Sequence, residues 1–401
     1  MTHARLLALL ALAALSTTAA CATTATARPA APTAPRAPIR GEEFRVVGQG
    51  PSTAGDAYDA AMLFDRATEH LRAGRCDAAL ADYERLLREF PDNFRAHPAQ
   101  FNRALCLQRA SRLPEAADAM RAAASSPRDP SLVHDAWFRV AALGEQAQQP
   151  AWVVEATDAL LANPRIELAD RVEALARRAA ALLARNERDA AERAAQQAVE
   201  LAPTPELVAA LGDDTYAAEA RVVLAEVTRA RAAEVVYRVE EPNAEEAITR
   251  RVQLVTHAHV QFNEAIRVGN PHWAAAAGFR IGEMYRDLFR AIVDAPVPAD
   301  WSSTGREVYR RRTSERLRPL LQGAMRSWEA TLTMARRNGI SGNEWVRRAD
   351  EALAELRTLI LGETPRPATT PPPPNAAPNA TPAAAPSTAP AAAPSAGRPA
   401  A

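Results

Sequence analysis

The chain has 401 residues, with 48 basic and 48 acidic side chains and a formal net charge of zero; every basic residue is arginine. Balanced charge argues against a general nucleic-acid binder, which needs a basic surface to neutralise phosphates. Aromatics make up 5%, and much of the 48% hydrophobic fraction is alanine, which suits close-packed helices better than sheets or large aromatic cores.

The amino terminus reads as an export signal. His3 and Arg5 give a short positive region, and Leu6 to Leu15 is an apolar run too short to span a bilayer. Small residues Ser16 to Ala20 follow, then Cys21. This resembles a bacterial lipoprotein signal, which implies that residues 1–20 are removed and Cys21 is lipidated. Thr18 stands where that family usually has an aliphatic residue, and ordinary cleavage after Ala20 or Ala27 is the alternative. Ala22 after the cysteine implies, by the same resemblance, sorting to the outer membrane of a Gram-negative bacterium, and arginine in place of every lysine suggests a GC-rich genome. The expected location is the periplasmic face of the outer membrane, lipid-anchored, or else the soluble periplasm.

Residues 21–55 form an Ala/Thr/Pro-rich leash with prolines at 29, 32, 35 and 38, a spacing suited to an extended polyproline strand. Residues 362–401 are a second Pro/Ala-rich stretch, nearly uncharged, which lacks the apolar surface to fold. Between about Ala57 and Leu361 the period is helical almost throughout, with breaks at Gly, Pro or Asn.

A repeat runs through that middle. Ala67, Gly74, Ala79, Tyr83, Leu86 and Pro91 fall at set spacings. The small residues let two antiparallel helices approach, Gly74 turns the chain, and Pro91 ends the second helix. The pattern returns at Ala104, Leu107, Leu113, Ala116, Met120, Ala123 and Pro127, weakly over 134–164, and again at Ala179, Leu182, Ala191, Ala195, Ala198 and Pro203. Ala258, Phe262 and Ala265, then Trp273, Ala276 and Ala277, suggest further helices of the same kind. The pattern resembles the tetratricopeptide repeat, which implies an all-α solenoid of antiparallel helix hairpins over residues 56–290. Residues 291–361 depart from it. A long helix from Glu307 to Arg337, containing Pro319, stops at Asn338-Gly339, and a last helix capped by Ser341 or Asn343 carries Trp345, Ala349, Leu353 and Leu356. This divergent pair is expected to cap the stack.

Cys76 opens the second helix of the first hairpin and Cys106 lies late in the next helix, so the geometry permits a disulfide, with two packed thiols as the alternative. Chemistry is otherwise sparse. His257 and His259 are two apart, about 200° around a helix, and cannot share a metal. No phosphate loop, nucleophile elbow or zinc pattern occurs. The expectation is no enzyme, no cofactor and no metal.

The repeat resemblance implies a concave face lined by the first helix of each hairpin. Its inward positions carried onto this chain are Phe64, Leu71 and Arg72, then Phe101, Leu105 and Arg109, then His134 and Trp137. Apolar anchors beside arginines suit a peptide segment, although Phe64, Phe101 and Trp137 serve equally as core. The function expected is a scaffold binding envelope proteins or peptide segments, in outer-membrane assembly, motility or secretion machinery. The alternative is a peptidoglycan- or glycan-associated protein using the tail or Trp273, Trp328 and Trp345.

Overall fold

A computed structural model describes residues 56–126 and 128–361. Cys21, the export signal, both Pro-rich segments and Pro127 lie outside the described residues.

Fourteen α-helices and no strand occur among the described residues. In chain order they are α1 (Asp56–Arg72), α2 (Cys76–Glu89), α3 (Ala96–Arg109), α4 (Leu113–Ala124), α5 (Pro130–Gln146), α6 (Pro150–Leu161), α7 (Leu168–Ala184) and α8 (Arg188–Leu201). There follow α9 (Pro205–Ala210), α10 (Thr215–Glu234), α11 (Ala244–Val268), α12 (Pro271–Val293), α13 (Ser303–Arg337) and α14 (Glu344–Leu361). Sequence neighbours pair as hairpins: α1 with α2, α3 with α4, α5 with α6, α7 with α8, α10 with α11, and α12 with α13. The second helix of each early hairpin also packs on the first helix of the next. This is an α-solenoid, in which each unit buries its apolar face against its neighbours.

The first four hairpins share one turn. Gly74 sits in left-handed backbone at φ +74°, and so do Ser111, Gln148 and Asn186 at 58°, 53° and 63°. These positions are 37, 37 and 38 residues apart. In each turn the next amide reaches back five residues: Arg75 N to His70 O, Arg112 N to Leu107 O, Gln149 N to Gly144 O, and Glu187 N to Leu182 O. That bond closes the helix end and aims the chain back along it. Three hairpins keep the turn after losing the glycine, so the repeat outlasts its sequence signature.

Alanines let the helices close up. Ala67, Ala79, Ala104, Ala116, Ala179, Ala191 and Ala195 are all fully buried between helices. Tyr83 fills the first hairpin from inside. It is fully buried, its hydroxyl lies 3.1 Å from Thr68 Oγ1, and its ring meets Phe64 edge-on at 6.1 Å. Burial pushes its phenol up to about 12.

After α8 the register shifts. Thr204 caps the short α9, and α10 then lies against both α7 and α8. Helix starts carry local caps: Asp129 accepts from Ser131 N and Leu132 N, Asn270 from Trp273 N, Ser302 from Gly305 N, and Asn343 from Trp345 N. The long α13 runs unbroken through Pro319 and begins one turn before the Glu307 start expected from sequence. It ends at Gly339, φ +63°, with Ile340 N bonded to Ala335 O. α14 packs on both α12 and α13.

Candidate interaction surface

The eight residues assigned to the concave face divide in two. Phe64, Leu71, Phe101 and Leu105 are buried. They belong to one apolar cluster running from α1 to α7, so Phe64 and Phe101 take the core alternative offered above, and Leu71 and Leu105 are core rather than open anchors. Neighbouring hairpins approach closely enough, through their alanines, to close over these side chains. Arg72 and Arg109 are exposed, and His134 and Trp137 are partly exposed.

Two of the eight are brought into direct contact across a hairpin boundary. Arg109 Nη1 donates to Leu71 O at 3.2 Å, satisfying a helix-end carbonyl of α1. On α5, His134 Nε2 lies 2.9 Å from the buried Asp170 Oδ2 of α7, and its ring meets Phe138 edge-on at 4.9 Å. Trp137 packs against the interior from the same helix. The predicted surface therefore consists of polar groups seated over a closed apolar interior.

Cys76 and Cys106 are adjacent free thiols. Cys106 is fully buried and Cys76 partly exposed. Burial, with the neighbouring Cys76 thiol adding to it, raises the Cys106 thiol pKa.

A charged cluster not foreseen from the sequence joins α5, α7 and α10. Arg177 is 2% exposed. Its Nη1 donates to Glu145 Oε1 at 2.5 Å, its Nε to Glu173 Oε1 at 2.9 Å, and its Nη2 to the Tyr216 hydroxyl, over whose ring the guanidinium also lies at 4.8 Å. Burial alone would lower the Arg177 pKa; the charges of Glu145, Tyr216 and Glu173 outweigh it and raise it. The Glu173 carboxyl is raised by burial, against the pull of Arg177. Each of the three guanidinium nitrogens has a partner, so the cluster ties three helices together. Its sequence signal is Ala174, Arg177 and Ala181 on one helical face: an arginine in an alanine stripe is placed inside.

Trp328 is 0% exposed and its Nε1 donates to Phe279 O at 3.0 Å, so it cannot meet a polymer. Trp345 carries the guanidinium groups of Arg280 and Arg348, each 5.0 Å from its ring. Among the described residues no group of three or more His, Cys, Asp or Glu is placed to hold a metal ion, and no helix is long and apolar enough to cross a membrane.

The described residues form an all-α stack of helix hairpins. Residues 64–131, from α1 into α5, match the family model described as tetratricopeptide repeat. Among solved structures the chain is similar to the crystal structure of a tetratricopeptide repeat protein from Parabacteroides merdae ATCC 43184, at 13% identity and a TM-score of 0.35, covering 73% of this chain and 99% of that one. No curated protein matches.

Proposed function

We propose that this protein is a non-catalytic scaffold lipoprotein that holds protein partners at the periplasmic face of the outer membrane. Residues 1–20 act as export signal and Cys21 as lipid anchor. Residues 21–55 form the leash, 56–290 the binding solenoid, 291–361 a terminal cap and 362–401 a spacer tail. The observation that carries the reading is the stack of helix hairpins whose first units match the tetratricopeptide repeat, a module generally used to bind proteins. The Cys21 signal and the proline leash support the location. Arg72, Arg109, His134 and Trp137 are the candidate contact residues on the first three hairpins.

Two measurements test it. Mass spectrometry of the mature amino terminus, with detergent partitioning of wild type and Cys21→Ser, is expected to find a lipidated Cys21 whose removal moves the protein to the aqueous phase. A free terminus beyond Ala20 rejects the anchor. Crosslinking in intact envelopes is expected to recover the same protein partners repeatedly, and failure to do so rejects the scaffold.

A further inference from the structure

Many arginines of the solenoid are drawn into ion pairs. Arg112 meets Glu115, Arg121 meets Glu155 and Asp118, Arg231 meets Glu192 and Asp189, and Arg347 meets Glu351. The first half of α13 departs from this. Arg306, Arg310, Arg311, Arg312, Arg316 and Arg318 are all exposed, and none is ion-paired among the described residues. Only Glu307 and Glu315 offset them within residues 303–318, leaving four positive charges.

The placement runs against local helix energetics. Positive charge in the first turn of a helix opposes the macrodipole, and the first turn of α13 holds Arg306 and no acidic residue. The segment is held instead by the Ser302 cap and by Thr313, Leu317 and Leu320, buried in the stripe that faces inward. A sequence that breaks a local rule on an exposed face, while keeping its buried face regular, marks a surface shaped by something outside the fold.

The geometry points to this arginine face of α13 as a docking site for a carboxylate-rich protein segment. From Arg306 to Arg318 the helix rises about 18 Å, the length of a short peptide footprint. Arg311 and Arg318, seven residues apart, share one side, while Arg312 and Arg316, four apart, share another. Guanidinium groups match carboxylates in bidentate geometry. Two features favour protein over lipid or nucleic acid. The apolar stripe of this helix is spent against the body of the protein, so none remains to enter a bilayer. Exposed Glu307 and Glu315 stand among the arginines, which repels a uniform phosphate wall but suits a segment of mixed charge. This surface lies away from the first hairpins, so it stands or falls independently of binding there.

The test is fluorescence anisotropy of a labelled glutamate-rich peptide with two interspersed arginines and the full chain, wild type against Arg311→Glu/Arg318→Glu and Arg311→Lys/Arg318→Lys. The expected result is salt-sensitive binding that falls about tenfold or more in the double glutamate variant and less in the lysine variant. These side chains are exposed and unpaired, so unchanged thermal unfolding shows that the variants fold. Absent peptide binding, or binding indifferent to charge reversal, overturns the proposal. Parallel arms use anionic phosphatidylglycerol vesicles, duplex DNA and sedimentation velocity of the protein alone. If one of those associations exceeds peptide binding and is lost on charge reversal, the occupant is a lipid surface, a nucleic acid or a second copy, and the carboxylate reading is rejected.

Discussion

Trp328 of α13 occupies the space that Gly282 of α12 leaves by having no side chain. A Cβ at Gly282 would fall within the indole around Nε1, and the same Nε1 donates to Phe279 O one turn earlier on α12. Helix, indole and hydrogen bond are thus locked by one missing methyl. Gly282→Ala is expected to lower stability by about 1–3 kcal/mol through overpacking. Gly323→Ala is the control: its Cβ meets Tyr285 at 3.5 Å, ordinary contact, and loses only a helical glycine. That change is expected to be neutral or to stabilise by roughly 0.5–1 kcal/mol. Chemical denaturation of both variants decides; equal effects would mean that Trp328 is not locked as described.

The shared turn gives a second test. Ser111 and Gln148 adopt left-handed backbone that glycine enters without strain. Ser111→Gly and Gln148→Gly are each expected to change stability by less than about 1 kcal/mol, relief of strain being partly offset by a more flexible unfolded chain. Asn186→Gly should change least, because asparagine tolerates this region. Gly74→Ala, by contrast, should destabilise by about 1 kcal/mol. Midpoints from denaturant titration rank the four, and a Gly74→Ala chain as stable as wild type would refute the turn assignment.

Arg177→Met removes the guanidinium and leaves Glu173 in an apolar setting. A loss of about 3–5 kcal/mol is expected, the cost of stranding one partner of a buried pair. Adding Glu173→Gln should recover part of it, and a double-mutant cycle reads the coupling directly. Additive effects would show that the two side chains do not share a network.

Thiol reactivity should separate the cysteines. Cys76 is partly exposed and Cys106 fully buried, with its thiol pKa raised by that burial. On the reduced protein an alkylating agent is expected to label Cys76 first and Cys106 only on unfolding, scored by peptide mass. Under a disulfide oxidant the expected product is an intramolecular Cys76–Cys106 bridge, two thiols giving one disulfide while the oxidant is reduced to thiols. A mixed disulfide that persists on Cys76 would show that the pair does not close.

His259 supplies a pH test. Burial lowers its pKa below the ordinary 6.5, and its Nδ1 lies 3.1 Å from the Tyr285 hydroxyl. The unfolded chain therefore binds the proton more readily than the folded one. Its contribution to stability is complete above pH 6.5 and is lost as pH falls through the depressed folded value. Thermal unfolding at neutral pH and near pH 5 should show a smaller acid loss in His259→Gln than in wild type. An unchanged loss would place the sensitivity elsewhere.

Much of the architecture was legible in the chain. Ala67, Gly74, Ala79 and Tyr83 announced a hairpin because a helix period of 3.6 turns spacing directly into a face. The third hairpin was faint: Gln148 stands where glycine turned the first, and the backbone tolerates it at a modest local cost. The shift after α8 was not legible, because α9 carries only six residues and leaves no periodic trace.

The candidate surface was less readable than the fold, for a physical reason. Sequence by itself determined which residues share a helical face, where helices start and stop, and that the chain stacks as hairpins. It placed Phe64 and Phe101 on the inner face of their helices and also allowed them as core. Whether such a face is an open groove or a closed interior depends on how nearly the next hairpin approaches, a distance set by contacts between residues some 37 positions apart. Tertiary structure alone decided that those rings are buried, that Arg177 is enclosed by three helices, and that the arginines of α13 have no ion-pair partner among the described residues. Periodicity encodes direction; only packing encodes distance.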